Sequence, residues 1–181
     1  MMAEQGNRSR SHGLSSELLF KQSEKLNIKM IQKYTSWDDY ESVFINTIKE
    51  LKKNNVEYGI FGDIDLQVHL EWIIKICNKT GIQYFEPLWK YKRMNVIKEL
   101  LEAGFRAIIV SCDSKKMDKK YLGKEIKFDL VNELQSIGID AAGENGEFHT
   151  FIYDGPIFKS KVKFNKRGVV ENKKYLFLEI E

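Results

Sequence analysis

The chain is poor in cysteine and proline, and it has no long hydrophobic run. Its 181 residues include only two cysteines, Cys77 and Cys112, and two prolines. Two cysteines are too few for a disulfide framework or a metal cage, so a reducing compartment is expected. No stretch approaches the length of a membrane helix, and the first residues lack the apolar core of a signal peptide. We therefore expect a cytoplasmic protein without membrane contact, in which Cys112 is buried rather than nucleophilic.

A strong charge of one sign is also missing. There are 29 basic and 26 acidic residues, which gives a formal net charge of +3. This balance does not require a nucleic acid or a membrane surface as partner. The lysine-rich stretch at 159–167 is interpreted as a solvated face. The hydrophobic content of 43% fits an ordinary globular protein, either one domain or one domain with a small appendage.

Helical and strand patterns alternate from Ser15 to Ile137. Helices are predicted after a cap at Ser15 or Ser16, after a capping box formed by Ser36 and Asp39, and in three later apolar stripes. Strands are predicted at 28–34, 56–61, 82–85 and 105–110, the last as a central parallel strand. The alternation is typical of an α/β fold with a doubly wound, mostly parallel sheet. After Phe85 the character shifts towards α+β, and the chain ends in a predicted β hairpin.

Polar residues follow the predicted strand at 56–61. Gly62, Asp63 and Asp65 come at its carboxyl end, and His69 lies one turn into the next helix. Ligands bind beyond the carboxyl ends of parallel strands, and the amide protons that open a helix suit a phosphate. The alternative explanation is structural: either aspartate is a good helix N-cap, and the histidine has a packing role.

The segment Gly143-Glu144-Asn145-Gly146-Glu147-Phe148-His149-Thr150 has more polar chemistry than a plain hairpin needs. Two glycines bracket the acids, and a predicted strand follows directly. An ordinary glycine-containing turn with solvated acids explains the segment equally well. Phosphate loops of the common types, a nucleophile elbow and zinc-ligand spacing are all missing from the sequence. Composition and periodicity therefore indicate only a ligand-binding α/β domain.

Several stretches, taken in order, carry a resemblance to a known family. They are Arg8-Ser9-Arg10-Ser11-His12-Gly13, Gly62-Asp63-Ile64, Pro87-Leu88-Trp89, residues 104–110, residues 143–150 and Asp154-Gly155-Pro156-Ile157-Phe158. This set resembles the diphthine–ammonia ligase family of the PP-loop, or ATP pyrophosphatase, superfamily of adenine nucleotide alpha hydrolase-like proteins. The resemblance covers roughly residues 8 to 163. The sequence around Asp65, His69 and Trp72 is similar to a bacterial branch of the family.

The resemblance implies ATP-dependent amide formation. A substrate carboxylate attacks the α-phosphorus of ATP, pyrophosphate leaves, and ammonia displaces AMP from the acyl adenylate. ATP and Mg²⁺ are the implied cofactors, and a small-molecule or protein carboxylate and ammonia are the implied partners. No resident metal is implied, and a homodimer is left open. The resemblance assigns nucleotide binding to His12, Gly62 and Asp63, catalysis to Glu144, Glu147 and His149, and substrate binding to Asp65, His69, Asn145 and Gly146.

One hallmark of that family is missing from the sequence. A first strand and the loop Ser-Gly-Gly-Lys-Asp-Ser, which cradles the phosphates, would precede the segment that starts at Met1. We expect an incomplete N-terminus, because residues 1–7 are typical of the end of a second strand. Residues 1–85 would then be a truncated nucleotide-binding half, and 86–181 a substrate-binding α+β half. Two alternatives stay open: a non-catalytic nucleotide-fold module or fragment without ATP chemistry, and an RNA-associated protein that uses its basic C-terminal hairpin.

Overall fold

The structure is a computed structural model, and it describes residues 1–3 and 8–181. The fold is mixed α/β. The predicted strand end at residues 1–7 falls partly outside the described residues. The elements are β1 (Met2–Ala3), α1 (Ser16–Leu26), β2 (Tyr34–Thr35), α2 (Tyr40–Lys52), β3 (Tyr58–Ile60), α3 (Gln67–Thr80), β4 (Gln83–Phe85), α4 (Arg93–Glu102), β5 (Arg106–Asp113), a short 3₁₀ helix (Lys119–Tyr121), α5 (Phe128–Ser136), β6 (Phe148–Asp154), β7 (Lys166–Asn172) and β8 (Tyr175–Ile180).

The chain forms two compact units. The larger unit contains Met1–Tyr34 and Ile97–Glu181, and the smaller unit contains Thr35–Val96. The division into residues 1–85 and 86–181 stays a prediction.

The smaller unit contains a β-α-β arrangement. Strands β3 and β4 pair in parallel, with Ile60 opposite Phe85, and α3 connects them. The helix packs Ile73 and Ile76 into a core with Ile48 of α2. Helix α3 ends at Thr80, and the backbone N–H of the following residue, Gly81, donates a hydrogen bond to the Cys77 carbonyl. A parallel pair in this region agrees with the sequence analysis, while a larger doubly wound sheet stays a prediction.

The larger unit is organised around a four-stranded sheet in the order β6-β5-β8-β7. All three pairings are antiparallel. The predicted central position of the strand at 105–110 is confirmed by β5, but its predicted parallel pairing is wrong. That prediction was based on the apolar run at 105–110, which is typical of a strand buried on both faces. Ile109 packs with Leu134 of α5 on one face, and Val110 packs with Leu18 of α1 on the other. Burial by helices on both faces therefore explains the continuous apolar sequence of β5, and no parallel neighbour is needed to explain it.

Local signals were confirmed to different degrees. Ser15 caps α1, since its Oγ accepts the Leu18 N–H at 3.1 Å. Ser36 Oγ accepts the Asp39 N–H at 3.0 Å just before α2. The strand predicted at 28–34 is wrong for all but its last residue, because most of that segment has no strand partner. Burial of Cys112 is confirmed, and this burial raises the pKa of its thiol to about 11.

The core of the larger unit allows a matched stability test. Leu134 is fully buried on α5, whereas Ile137, directly after the same helix, is 53% exposed. We expect Leu134→Ala to lower the free energy of unfolding by about 2–5 kcal/mol, because it removes buried methyl groups and leaves a cavity. Ile137→Ala should change it by less than about 1 kcal/mol. Denaturant unfolding measures both values, and equal losses would contradict this packing.

Candidate functional site

The turn at residues 140–147 is shaped by a partly buried network of backbone and carboxylate groups. Asp140 Oδ1 accepts the Ala142 N–H and its Oδ2 accepts the Glu144 N–H, each at 3.1 Å. Gly143 has a φ of +73°, and a Cβ there would lie 2.9 Å from the Phe148 carbonyl oxygen. Glycine is therefore required here by the fold itself. The sequence analysis missed Asp140, although an aspartate two or three residues before a glycine is a common turn signal.

Glu147 points into the turn rather than towards solvent. Glu147 is only 5% exposed. Oε2 accepts the Asn145 backbone N–H at 3.1 Å, and Oε1 accepts Asn145 Nδ2 at 3.2 Å. Glu144, in contrast, is only half-buried. The two acids that the sequence pattern treats alike therefore have different surroundings: Glu147 fixes Asn145, and Glu144 is the more accessible carboxylate.

The end of β5 holds the same turn from the other side. The Asp113 N–H donates to the Glu147 carbonyl at 2.9 Å, and Lys116 Nζ donates to the Asn145 carbonyl at 2.7 Å. Asp113 is buried and forms an ion pair with Lys174 Nζ at 3.0 Å. Burial would raise the pKa of Asp113, but the hydrogen bond from Lys115 N–H and the Lys174 ammonium lower it overall. Lys116 and Lys174 were not singled out from the sequence.

Two histidine rings meet beside this turn. His149 lies on β6 opposite Ser111 of β5, and its ring centroid is 4.8 Å from that of His12. The Ser111 hydroxyl donates to the Ser11 carbonyl at 3.0 Å, which ties the segment that carries His12 to the sheet. Gly13 follows with a φ of +67°, and a Cβ there would lie 2.4 Å from a Phe177 ring atom.

Both imidazoles are neutral near neutral pH. Burial, followed by the neighbouring His149, lowers the pKa of His12 to about 4. Burial also lowers the pKa of His149. A neutral imidazole both donates and accepts a hydrogen bond, so the pair can handle a proton without carrying a resting charge. The structure thus brings together one residue that the resemblance assigned to the nucleotide and one that it assigned to catalysis.

The polar residues of the smaller unit make a second group. His69 Nδ1 lies 2.7 Å from Asp63 Oδ1. Asp65 forms a two-pronged ion pair with Arg93, at 2.7 Å to Nε and 2.5 Å to Nη2, and Arg93 lowers the pKa of this carboxyl group. The N-cap of α3 is Leu66, without a side-chain cap bond, so the explanation of either aspartate as a helix cap is wrong.

Gly62 has no structural reason to be glycine in the described residues. Its φ is not in the left-handed region, and an added Cβ would meet no atom within 4 Å. The open space in front of the backbone permits the close approach of a ligand. Gly62 lies two residues after β3, at the carboxyl end of the parallel pair, where open α/β sheets bind their ligands.

Glu86 adds a carboxyl group that the sequence analysis missed. It follows β4 directly, and both of its carboxylate oxygens are buried without a hydrogen-bond partner among the described residues. Burial, followed by the charge of Asp63, raises the pKa of Glu86. An unpartnered buried carboxylate is costly, so its position next to Asp63 indicates a site for a cation or a donor. No group of three or more His, Cys, Asp or Glu side chains in residues 1–3 and 8–181 has the arrangement of a metal cage.

The chain is thus a mixed α/β protein of two units: one has a glycine just after a parallel strand, and the other has an acid-rich turn on an antiparallel sheet. The family model of the diphthamide synthase N-terminal domain matches residues 1–84, and that of the C-terminal domain matches residues 92–181. Together they cover nearly the whole chain, so the chain belongs to the diphthamide synthase family.

Relatives with a curated name are similar to this chain at low identity. The chain is 27% identical to the mouse diphthine–ammonia ligase over 69% of its own length and 48% of the relative. Identity is 24% to the human enzyme, over 80% and 56%, and 29% to the zebrafish enzyme, over 71% and 52%. The chain thus spans about half the length of these relatives. In the described part of the chain, no helix is both long and apolar enough to cross a membrane.

The histidine pair predicts a pH dependence of stability. A folded-state pKa below the unfolded value of 6.5 means that the folded chain binds fewer protons than the unfolded chain between pH 6.5 and about 4. Stability should therefore fall as the pH drops through this window. We expect His12→Gln/His149→Gln to reduce that loss in thermal unfolding measured at several pH values. A double variant with an unchanged pH profile would contradict the buried neutral pair.

Proposed function

We propose that this chain is part of an ATP-dependent ligase of the diphthine–ammonia ligase type, which joins ammonia to a substrate carboxylate with release of AMP and pyrophosphate. The acceptor carboxylate is left unnamed. The observation that carries the proposal is the turn at 143–150, in which the half-buried Glu144 belongs to a hydrogen-bonded network that leads into His149, whose ring meets that of His12. The family membership and the names of the relatives support the same reaction.

The chemistry explains why such a turn is useful. A carboxylate is a poor acceptor for an amine until one of its oxygens becomes a good leaving group. Adenylation supplies it: the carboxylate oxygen bonds to the α-phosphorus and pyrophosphate departs. Ammonia then bonds to the acyl carbon, the bond to the AMP oxygen breaks, and one proton must leave the nitrogen. In this proposal, neutral His149 accepts that proton, and Glu144 orients the ammonia.

Nucleotide binding is assigned to the carboxyl ends of β3 and β4. Gly62 leaves space at the backbone, and Asp63 and Glu86 supply carboxylates. Mg²⁺ is commonly held by one or two carboxylates plus phosphate oxygens, which fits these two side chains better than a cage of protein ligands. Bound there, Mg²⁺ would offset the charge of the phosphates. Asp65 would be unavailable to the metal, because Arg93 engages both of its oxygens.

The finer parts of the proposal extend beyond the described contacts. We propose that β3 and β4 belong to a doubly wound, mostly parallel PP-loop sheet, that residues 1–85 and 86–181 are its nucleotide and substrate halves, and that the protein works in the cytoplasm. A similarity to the bacterial branch and the Ser-Gly-Gly-Lys-Asp-Ser loop upstream of Met1 are part of the same proposal.

A different class of function is a non-catalytic nucleotide-fold module. Titration calorimetry of ATP with Mg²⁺ separates the two. The ligase proposal expects tighter binding by a chain extended with the codons upstream of Met1 than by the chain alone, together with AMP release. Binding without AMP release in the extended chain would favour the module.

Gly62→Ala tests the nucleotide site. The added methyl group meets no protein atom, so the free energy of unfolding should change by less than about 0.5 kcal/mol. Binding of ATP with Mg²⁺ should nevertheless fall by about tenfold, because the methyl group occupies the space of the ligand. Gly168→Ala is a matched control, since this glycine on β7 also has open space. Unchanged ATP affinity in Gly62→Ala would refute the assignment.

Two acids in the turn should respond differently to removal of their charge. We expect Glu144→Gln, and also Glu147→Gln, to abolish substrate-dependent AMP release in the N-terminally extended chain. Only Glu147→Gln should also lower the melting temperature, because one carboxylate oxygen becomes an amide nitrogen, which cannot accept one of the two hydrogen bonds from Asn145. Glu171→Gln on the exposed strand β7 is the control. Normal turnover in either turn variant would disprove its role.

A further inference from the structure

A cavity of about 460 Å³ lies in the larger unit, away from the turn at 143–150. Ile108 of β5 and Tyr153 of β6 line it, whereas the turn joins the same strand pair at Asp113 and Phe148. Five residues separate Ile108 from Asp113, which is roughly 16 Å along a strand. The cavity is therefore at the opposite end of the β5–β6 pair. Its volume is in the range of pockets that hold small organic ligands.

The wall of the cavity has a strong excess of positive charge. Lys161, Lys163 and Lys166 line it together with a single acid, Glu125. Glu125 is already engaged by Arg106, at 2.7 Å to Nε and 3.1 Å to Nη2, and Arg106 lowers the pKa of its carboxyl group. The acid therefore does not neutralise the lysines.

The lysines differ in what holds them. Lys166 Nζ donates to the Gly123 carbonyl at 2.7 Å, which fixes one ammonium group at the wall. Lys161 and Lys163 flank buried Val162, whose N–H donates to the Tyr153 carbonyl at 2.7 Å. Within residues 1–3 and 8–181, the side chains of Lys161 and Lys163 have no hydrogen bond or ion pair. Two exposed lysines without a side-chain partner in this part of the chain thus flank an anchored position of the backbone at the cavity.

The floor of the cavity is apolar and aromatic. Phe164 packs edge-on against Tyr153, with ring centroids 5.3 Å apart, and Ile108 and Val162 complete the surface. Such a floor favours a planar apolar group, and the lysines favour an anion with several oxygens. Inorganic phosphate alone would leave the apolar floor unused.

We propose that this cavity binds a small organic phosphate that has a planar apolar group, at a site separate from the turn at 143–150. The phosphate lies between Lys161 and Lys163, with the third ammonium group of Lys166 at the wall. The planar group lies against the half-buried Phe164, since the Tyr153 ring is already covered by Arg106 and Phe164. The proposal does not depend on ATP chemistry elsewhere in the chain.

Phenyl phosphate is the probe for this site, with phenol and inorganic phosphate as its two halves. Binding to the isotopically labelled chain is followed by amide NMR shifts. We expect saturable binding of phenyl phosphate with shifts at Gly123 and Val162, and much weaker binding of either half. Shifts confined to other parts of the chain, or inorganic phosphate binding as tightly as phenyl phosphate, would overturn the proposal.

Charge removal supplies the matched control. Lys161→Gln/Lys163→Gln should weaken the binding of phenyl phosphate by about tenfold, which corresponds to about 1.4 kcal/mol of binding free energy. Lys29→Gln/Lys173→Gln removes the same charge from exposed positions outside the cavity and should leave the affinity unchanged. Thermal melting confirms that both variants are folded. An equal loss in the two double variants would show a general attraction between anions and lysines, and would refute a site.

Discussion

The hydrogen bonds that the Glu147 carboxylate accepts from Asn145 are the interaction on which the acid-rich turn depends. A buried carboxylate without partners is strongly unfavourable, so this side chain forces the Asn145 backbone and amide to face it. The Glu147 carbonyl is fixed in turn by the Asp113 N–H. Side chain and main chain of one residue thereby connect the turn to the central strand. The half-buried position of Glu144 follows from that arrangement.

The same constraint extends to the histidines. Because the turn leads directly into β6, the position of Phe148 opposite Cys112 sets His149 opposite Ser111. Ser111 holds the Ser11 carbonyl, so the segment with His12 reaches the ring of His149 from a part of the chain more than a hundred residues away. Burial lowers the pKa of both rings, and the neighbouring His149 lowers that of His12 further, so both rings are uncharged near neutral pH. A polar centre without resting positive charge suits a step in which a proton must be accepted from nitrogen.

How far the sequence predicted the structure depended on whether a signal was local. The Ser15 cap, the C-terminal hairpin and burial of Cys112 depend on neighbouring residues, and the structure confirms them. The direction of β5 depends on which strands pair with it, and burial of both faces misled the prediction. Asp140 and Glu86 were missed because their importance comes from backbone and buried groups that only the folded chain assembles. The site assignments at Gly62 and Glu144 came from family resemblance and stay predictions.

Glycines show which part of the motif pattern belongs to the fold and which to a ligand. At Gly13 and Gly143 a side chain would collide with Phe177 or with the Phe148 carbonyl, and both have a positive φ. Folding alone is enough to require them. Gly62 has neither property, and it shares this with Gly168 on β7. Gly62 differs from Gly168 in its position at the carboxyl end of the parallel pair β3–β4, where open α/β sheets bind their ligands. Open space at the backbone and this position together, rather than the open space alone, indicate where a ligand approaches.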